Sequence, residues 1–271
     1  MSDLTVTPNS VLFVTLDSCR FDSFQSAHAP ALKAVGPLRS AQAPSYFTYG
    51  SHSAMFVGFT PGATLDAEPL LNPKYSKLFK LAGAGFPSKG EEGYVLEGTD
   101  IVEGFRNLGF ATMGVAAMGW FDPDVPTGRH LSHNFERFKF IGPRGQCAEG
   151  LAWLREEIAA AAGRDVFAFF NVGETHTPYH FEGAPWSRDD IPCWPFQTDD
   201  RRADCEMRQR ACVEQIDREL APLFEAFSGS TILLCADHGD AWGEDGAWEH
   251  GIAHPAVLTV PLLMRVRGRP V

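Results

Sequence analysis

The sequence predicts an α/β protein, a three-layer sandwich with a mostly parallel central sheet. Short apolar runs rich in β-branched residues recur along the chain, as expected for strands that are buried on both faces. Segments with helical periodicity separate these runs, which is typical of parallel sheets with crossover helices. No shift in composition and no linker divides the 271 residues, so we predict a single domain over residues 1–271.

The predicted elements follow one another along the chain. The predicted strands cover residues 10–16, 110–117, 166–172, 231–236 and 260–265. The predicted helices cover residues 99–109, 149–162 and 206–227, the first with Thr99 as N-cap and the last interrupted near Pro222. Two long segments, 60–97 and 177–203, are predicted to be loops, and long loops in compact domains often act as lids or substrate walls.

Charge and composition exclude several classes of partner. With 34 acidic and 23 basic residues the net charge is −11, which argues against a nonspecific binder of nucleic acid or anionic membrane. The first ten residues lack the features of a signal peptide, and no apolar run reaches the length of a membrane span. The six cysteines form no CxxC pair. We therefore expect a cytoplasmic protein.

One stretch, residues 231–255, carries several side chains of the kind that bind metals. An apolar strand ends directly in Asp237 and His238, and His250 and His254 follow after a glycine-broken loop. In open α/β sheets ligands collect at the carboxyl ends of strands. Carboxylate and imidazole donors suit Zn, Mn or a similar divalent ion. The alternative is a solvated Asp-His turn.

The first strand also ends in a carboxylate. Asp17 follows the apolar run directly, and a buried carboxylate is costly unless it is paired or bound to a metal. We therefore predict that Asp17 is a metal ligand, with an N-cap or loop role as the alternative. Arg20 comes three residues later, and it is predicted either to bind a substrate oxyanion or to pair with Asp22.

A hydroxyl group precedes a predicted helix start. Residues 51–57 have the character of a first helical turn, with Ser51 as the predicted N-cap. A helix N-terminus offers free amide groups and a field that favours an anion. A hydroxyl just before it can attack phosphorus or sulfur once a metal lowers its pKa. Thr48 is therefore predicted to be both a nucleophile and a metal ligand.

Together these segments resemble the alkaline phosphatase and sulfatase superfamily. The matching motifs are the first strand with its aspartate (VLFVTLD), the hydroxyl before a helix start (TYGSH), the strand with its Asp-His pair (CADHG) and a later strand (VPLL). Their order and rough spacing agree over nearly the entire chain. The resemblance implies an alkaline phosphatase-like fold, and it is closest to the small sulfatase-like hydrolases of bacteria.

The resemblance implies a first metal site made of Asp17, Thr48, Asp237 and His238. Thr48 stands where sulfatases of the family carry the cysteine that is converted to formylglycine, and His52 stands where they carry arginine. Threonine cannot give formylglycine. The resemblance therefore favours phosphoryl transfer through a phosphothreonine over the cleavage of sulfate esters.

The resemblance also implies a second group of polar side chains. The segment THTPY is similar to a family element, THxPY, whose histidine contacts the transferred group or a second metal, which singles out His176. His180 and Glu174 are weaker candidates. His250 or His254 or both are predicted to bind a second ion, with loop or leaving-group contacts and no second ion as the alternative. The predicted catalytic residues are thus Thr48, His176, His52 and Arg20. The predicted metal ligands are Asp17, Thr48, Asp237, His238, His250, His254, His176 and His180.

These residues predict a divalent-metal-dependent hydrolase of phosphate esters that acts through Thr48 with one or two ions, Zn or Mn. A sulfatase, a phosphodiesterase or a phosphotransferase of the same superfamily is a close alternative. A catalytically silent sulfatase-like binding protein is an alternative from another class. A nucleotide-binding domain is disfavoured because the chain has no GxGxxG motif and no P-loop. The predicted partner is a small anionic substrate, with a homodimer as one option for assembly.

Overall fold

The first strand, β1 (Val11–Leu16), already shows the layered plan of the molecule. Leu12, Val14 and Leu16 belong to one apolar cluster, whereas Phe13 belongs to another. Because successive side chains of a strand point to opposite faces, β1 is covered on both sides. The computed structural model describes residues 4–58, 100–143, 145–161 and 163–271.

The central sheet is mostly parallel, as predicted. The strands after β1 are β2 (Arg39–Gln42), β3 (Ala111–Ala116), β4 (Arg137–Phe140), β5 (Val166–Val172), β6 (Thr231–Ala236), β7 (Ala241–Trp242), β8 (Trp248–Glu249), β9 (Thr259–Val266) and β10 (Arg269–Pro270). Within the described ranges the main sheet runs β10-β9-β6-β1-β5-β3-β4, and β2 pairs with β9. The pairs among β6, β1, β5, β3 and β4 are parallel, and β9 lies antiparallel to its neighbours.

Helices cover both faces of this sheet, which confirms the three-layer arrangement. They are α1 (Phe21–Ser26), α2 (Pro30–Lys33), α3 (Thr48–Val57), α4 (Ile101–Asn107), α5 (Pro126–Ser132), α6 (Cys147–Ala160), α7 (Arg202–Ala226) and α8 (Pro255–Leu258). Apolar residues of α1, α2, α6 and α7 share a cluster with Leu12, Val14 and Leu16. Residues of α3, α4 and α5 pack around Phe13 on the other face.

The predicted strands agree with the structure to within one residue at each end, whereas the helices differ more. Helix α7 is continuous through Pro222, so the predicted interruption is wrong. A proline inside a helix removes one backbone hydrogen bond, but Leu220, Leu223 and Phe224 around it are buried in the core, and this packing outweighs the loss. Helix α4 is capped by Asp100, and the predicted N-cap Thr99 lies outside the described residues.

The connection between β5 and α7 is long and irregular, as predicted for the segment 177–203. It is nevertheless anchored, because Tyr179 and Cys193 within it are fully buried. The other predicted long loop, 60–97, lies outside the described residues. Among the helices that the structure describes, none is both long enough and apolar enough to cross a membrane.

Candidate metal centre

The site begins where three neighbouring strands end. In the parallel pairing, Leu16 of β1 lies opposite Ala236 of β6 and opposite Val172 of β5. The next residue on β1 is Asp17 and the next on β6 is Asp237, so the register brings these two carboxylates to one edge of the sheet. Both side chains are fully buried.

Three predicted ligands converge at this edge. Asp17, Asp237 and His238 each offer one potential ligand atom, and these three atoms lie within 4.8 Å of one another. Thr48 joins them, because its Oγ1 lies 3.3 Å from Nε2 of His238. The structure therefore brings together all four residues of the predicted first site.

Helix α3 presents Thr48 to this cluster. Thr48 is the first residue of the helix, and no side chain caps the helix at Phe47. The predicted N-cap, Ser51, is wrong, because Ser51 lies inside the helix and is buried. Its hydroxyl donates to the Asp237 carbonyl oxygen at 2.7 Å. This bond ties α3 to the end of β6 and so fixes Thr48 relative to the carboxylates.

His238 is held in the form that a metal ligand requires. Its Nδ1 lies 3.0 Å from the carbonyl oxygen of Gly239, which makes Nδ1–H the donor and leaves the lone pair on Nε2. Burial, with a smaller effect from His250, lowers the pKa of His238 to about 4. The imidazole is therefore neutral at pH 7, with Nε2 directed at Thr48 and the carboxylates.

Asp17 and Asp237 are suited to hold a cation. Burial and the neighbouring Asp237 charge raise the pKa of Asp17 to about 6, and burial raises the pKa of Asp237 to about 7. Oδ2 of Asp237 is buried and has no hydrogen-bond partner among the described residues. Two buried carboxylates that raise each other's free energy, with an oxygen left unpaired, are stabilised by a shared divalent ion. The site thus fits the predicted metal.

Asn171, which was not predicted, orients one of these carboxylates. Its side-chain amide donates to Oδ2 of Asp17 at 3.2 Å and to Oγ1 of Thr15 at 3.3 Å. Asn171 lies opposite Thr15 in the β1–β5 register, so it reaches the site from the neighbouring strand. An asparagine inside an apolar strand is the signal that the sequence offered for this role.

A second cluster adjoins the first. His238, Asp240 and His250 form another set whose ligand atoms lie within 4.8 Å of one another. The His250 ring lies 4.5 Å from the His238 ring and 5.1 Å from the His176 ring, measured between centroids. Asp240 was not predicted, although it stands three residues after Asp237. The structure thus places His250 and His176 beside the first site, as the sequence implied.

Burial disfavours the charged form of His250, but hydrogen bonding to Asp240 and the charge of that carboxylate raise the pKa of His250 to about 9. The Nδ1 of His250 lies only 2.7 Å from Oδ1 of Asp240. In the protein without a bound cation, His250 is therefore a cation at pH 7 that offsets part of the negative charge of the buried carboxylates.

Three predicted metal ligands are not among the sets of side chains that could share an ion: His254, His176 and His180. His254 caps α8, since its Nδ1 accepts from the Ala256 amide, and its Nε2 contacts Asp245. His176 directs Nδ1 to its neighbour's carbonyl oxygen and lines, with His180, a cleft of about 360 Å³. His176 and His180 thus border a cleft and do not belong to either candidate ion site at the sheet edge.

Arg20 is structural rather than catalytic. Its guanidinium forms ion pairs with Asp22 and Glu244, donates to the carbonyl oxygen of Asp240 at 3.0 Å and stacks over Trp242. Of the two predicted roles, pairing with Asp22 is therefore the correct one. These bonds hold the loop after β6 against the start of α1.

The weaker candidate Glu174 contacts the start of α6. Its carboxylate accepts from the amide of Cys147 at 2.5 Å, at the first residue of α6.

His52, predicted to be catalytic, instead supports Thr48 from behind. Its Nδ1 lies 2.8 Å from the carbonyl oxygen of Thr48, and its Nε2 lies 2.9 Å from the hydroxyl of Thr15. The ring is fully buried against Phe121 and Phe169, and burial lowers its pKa to about 3. Both nitrogens are engaged, so His52 has no atom left to contact a substrate.

We expect the substitution His52→Leu to lower the free energy of unfolding by about 1–3 kcal/mol, because it removes two buried hydrogen bonds, one to the carbonyl oxygen of Thr48 and one to the hydroxyl of Thr15. Urea denaturation measures this loss. The substitution His52→Gln, which can keep one of the two bonds, should recover part of it. Full stability of His52→Leu together with complete loss of turnover would instead support the predicted catalytic role.

Solved structures of other proteins share this fold. The C-terminal periplasmic domain of EptC from Escherichia coli, in complex with Zn, matches with a TM-score of 0.64 and 10% identity over 97% of this chain and 74% of that one. The same domain of EptC from Campylobacter jejuni, a phosphoethanolamine transferase, matches with a TM-score of 0.61 and 12% identity over 97% and 81%.

Two further similar structures are a protein that is named only by its superfamily and a phosphonate monoester hydrolase. An alkaline phosphatase superfamily protein from Vibrio parahaemolyticus has a TM-score of 0.58 and 13% identity over 98% of this chain and 62% of that one. The phosphonate monoester hydrolase from Silicibacter pomeroyi has a TM-score of 0.60 and 13% identity over 96% and 68%. No protein-family model matches the sequence, and no curated protein matches it either.

The chain has the alkaline phosphatase-like fold that its motifs predict. At 10–13% identity the likeness concerns the fold. The chemistry of this protein is therefore argued below from its own side chains.

Proposed function

We propose that this protein is a divalent-metal-dependent hydrolase of phosphate esters with Thr48 as its nucleophile. The observation that carries the proposal is the position of the Thr48 hydroxyl. It is buried, stands 3.3 Å from Nε2 of His238 and lies at the uncapped start of α3, beside a pair of buried carboxylates. A hydroxyl in this setting is placed for attack on an electrophile rather than for packing.

The proposed metal ligands are Asp17, Asp237, His238 and Thr48, which are oxygen and imidazole donors of the kind that Zn and Mn accept. A divalent ion bound there would lower the pKa of the Thr48 hydroxyl and neutralise charge on a phosphoryl group. The zinc complex of EptC supports zinc among these ions. A single ion is sufficient for this ligand set.

The remaining side chains have roles that follow from their positions. The Thr48 oxygen attacks phosphorus in line, the bond to the leaving alcohol breaks, and a phosphothreonine results. The field at the start of α3 stabilises the anionic group that is transferred. His250 lies beside His238, and His176 lies beside His250 and lines the cleft in which we place the alcohol portion of an ester. Water then releases phosphate.

Phosphate esters are favoured over sulfate esters because threonine cannot be converted to formylglycine. Transfer to an alcohol instead of water is the nearest alternative, and the phosphoethanolamine transferase among the similar structures supports it. The phosphonate monoester hydrolase supports transfer to water. The complete set of ligand-type side chains argues against a catalytically silent binding protein.

The test combines metal analysis with product and intermediate analysis. Protein loaded with Zn or Mn is incubated with p-nitrophenyl phosphate, bis(p-nitrophenyl) phosphate and p-nitrophenyl sulfate, with and without ethanol as a competing acceptor. We expect cleavage of a phosphate ester, release of inorganic phosphate, and a phosphoryl group on the peptide that contains Thr48 after acid quenching. Failure to bind metal, or cleavage of the sulfate ester alone, contradicts the proposal, and ethyl phosphate as the main product identifies a transferase.

We further propose that the protein acts in the cytoplasm on a small anionic substrate. The six cysteines are free and buried, and this supports a reducing compartment. Fractionation of cells that express the full-length protein tests this location, and recovery of the protein with periplasmic markers would contradict it.

A further inference from the structure

A chain of hydrogen bonds leads from the irregular β5–α7 connection into the site. Nε1 of Trp242 donates to the hydroxyl of Tyr179 at 2.9 Å, and that hydroxyl donates to Oδ2 of Asp240 at 2.7 Å. The other oxygen of Asp240, Oδ1, lies 2.7 Å from Nδ1 of His250. Tyr179, Asp240 and Trp242 are at most 1% exposed, so water does not compete for these bonds.

This chain determines how the His250 ring is turned. Because Nδ1 is bound to Asp240, Nε2 on the opposite edge of the ring points away from that carboxylate. The ring itself lies between those of His238 and His176. We propose that Tyr179 and Asp240 are positioning residues that fix His250 so that Nε2 hydrogen-bonds the group transferred at Thr48. This inference rests on the proposed function.

Asp240 could instead be taken for a ligand of a second cation, since it lies near both His238 and His250. Its hydrogen bonds argue otherwise. Each carboxylate oxygen already has a close partner at 2.7 Å, and the histidine atom that faces it is the one engaged by Oδ1. An ion between Asp240 and His250 would have to replace the bond that orients the ring. The carboxylate therefore acts through His250, as outer-shell carboxylates do at many metal sites.

Tyr179 is held rigidly enough for this task. Its ring packs edge-on against Trp242 with centroids 5.9 Å apart, and its carbonyl oxygen accepts from Nε1 of Trp186 at 2.9 Å. Its backbone adopts a left-handed conformation with φ of 56°, which a tyrosine rarely adopts without tertiary support. The irregular segment thus holds the Tyr179 hydroxyl in a fixed position against Asp240, beside the site.

The hydrogen bonds from Tyr179 through Asp240 to His250 are called the relay below. The substitution Tyr179→Phe tests this relay because it keeps the ring and removes only the hydroxyl. For the zinc-loaded enzyme acting on a phosphate ester we expect kcat to fall by about tenfold, with KM changed less than about twofold. The zinc content should stay that of the wild type. The matched control is Tyr49→Phe, which removes another tyrosine hydroxyl bonded to a histidine, His130, at 2.9 Å, and it should keep wild-type kcat.

A spectroscopic readout separates the relay from the proposed function. In zinc-loaded protein with ¹⁵N-labelled histidine, we expect a hydrogen-bonded Nδ1–H signal from His250, shifted in Tyr179→Phe and lost in Asp240→Asn. This signal and the zinc content report on the relay even if the wild type fails to cleave phosphate esters. Loss of one zinc per chain in Asp240→Asn would show a second metal site, and an unchanged signal and kcat in Tyr179→Phe would show that the relay is wrong.

Discussion

The substitution Thr48→Ala should lower kcat for phosphate ester hydrolysis by at least about 10³-fold, because it removes the only hydroxyl that lies against His238 in the described site. Loss of a nucleophile leaves only the stabilisation that binding and electrostatics provide. Thr48→Ser keeps the attacking oxygen and should retain kcat to within about tenfold. Steady-state kinetics together with zinc analysis measure both variants.

The matched control for Thr48 is Thr112→Ala. Thr112 is also a buried threonine, but it lies near the amino end of β3, where its hydroxyl accepts from the amide of Glu136. This variant should lose some stability and keep its kcat. If Thr48→Ala still turns over at near the wild-type rate while binding zinc, Thr48 is only a ligand, and the nucleophile is water.

Local sequence patterns were sufficient to predict β1, β3, β5, β6 and β9, and to single out the two carboxylates that the structure brings together where β1 and β6 end. A strand that is buried on both faces appears as an unbroken apolar run, so the point where β1 and β6 end can be read directly. A carboxylate right after such a run needs an ion pair or a metal ion to offset the free-energy cost of burying its charge. This is why Asp17 and Asp237 could be predicted without knowing which strands are neighbours.

The remaining parts of the site depend on contacts between distant segments. The hydroxyl of Tyr179 meets Asp240 from a segment with no helical or strand periodicity, and no local pattern encodes that meeting. Histidines were also overcounted. His52, which was predicted to be catalytic, and His254, which was predicted to be a ligand, each have both nitrogens engaged by nearby backbone or side-chain groups. Only coordinates distinguish a histidine that is satisfied in this way from one that faces the site.

The substitution Asp237→Asn should change stability in opposite directions with and without metal. The pKa of Asp237 is about 7 in the folded protein without metal, compared with an ordinary value of 3.8. A carboxyl whose pKa is raised by folding is favourable below pH 3.8, and its contribution is lost as the pH rises from 3.8 to about 7. Asp17, with a pKa of about 6, adds to the same trend. Metal-free wild type should therefore lose stability across this range.

Asparagine at position 237 removes the buried charge and keeps the acceptor oxygen that the amides of Ser18 and His238 contact. At pH 8 in EDTA we expect Asp237→Asn to melt at a higher temperature than the wild type. With excess zinc the order should reverse, because the variant has lost a ligand and the wild type gains the free energy of metal binding. Thermal melts at pH 5 and pH 8, with EDTA and with zinc, measure all four conditions.

Asp217→Asn separates this effect from the general cost of altering a buried aspartate. Asp217 is also buried, and its carboxylate accepts from the amide of Leu32 between α7 and α2. Its substitution should lower the melting temperature by a similar amount with EDTA and with zinc, since no ion depends on it. If Asp237→Asn behaves like Asp217→Asn, the two carboxylates at the sheet edge do not share a cation. The hydroxyl of Thr48 would then lack the charge that the proposed chemistry requires.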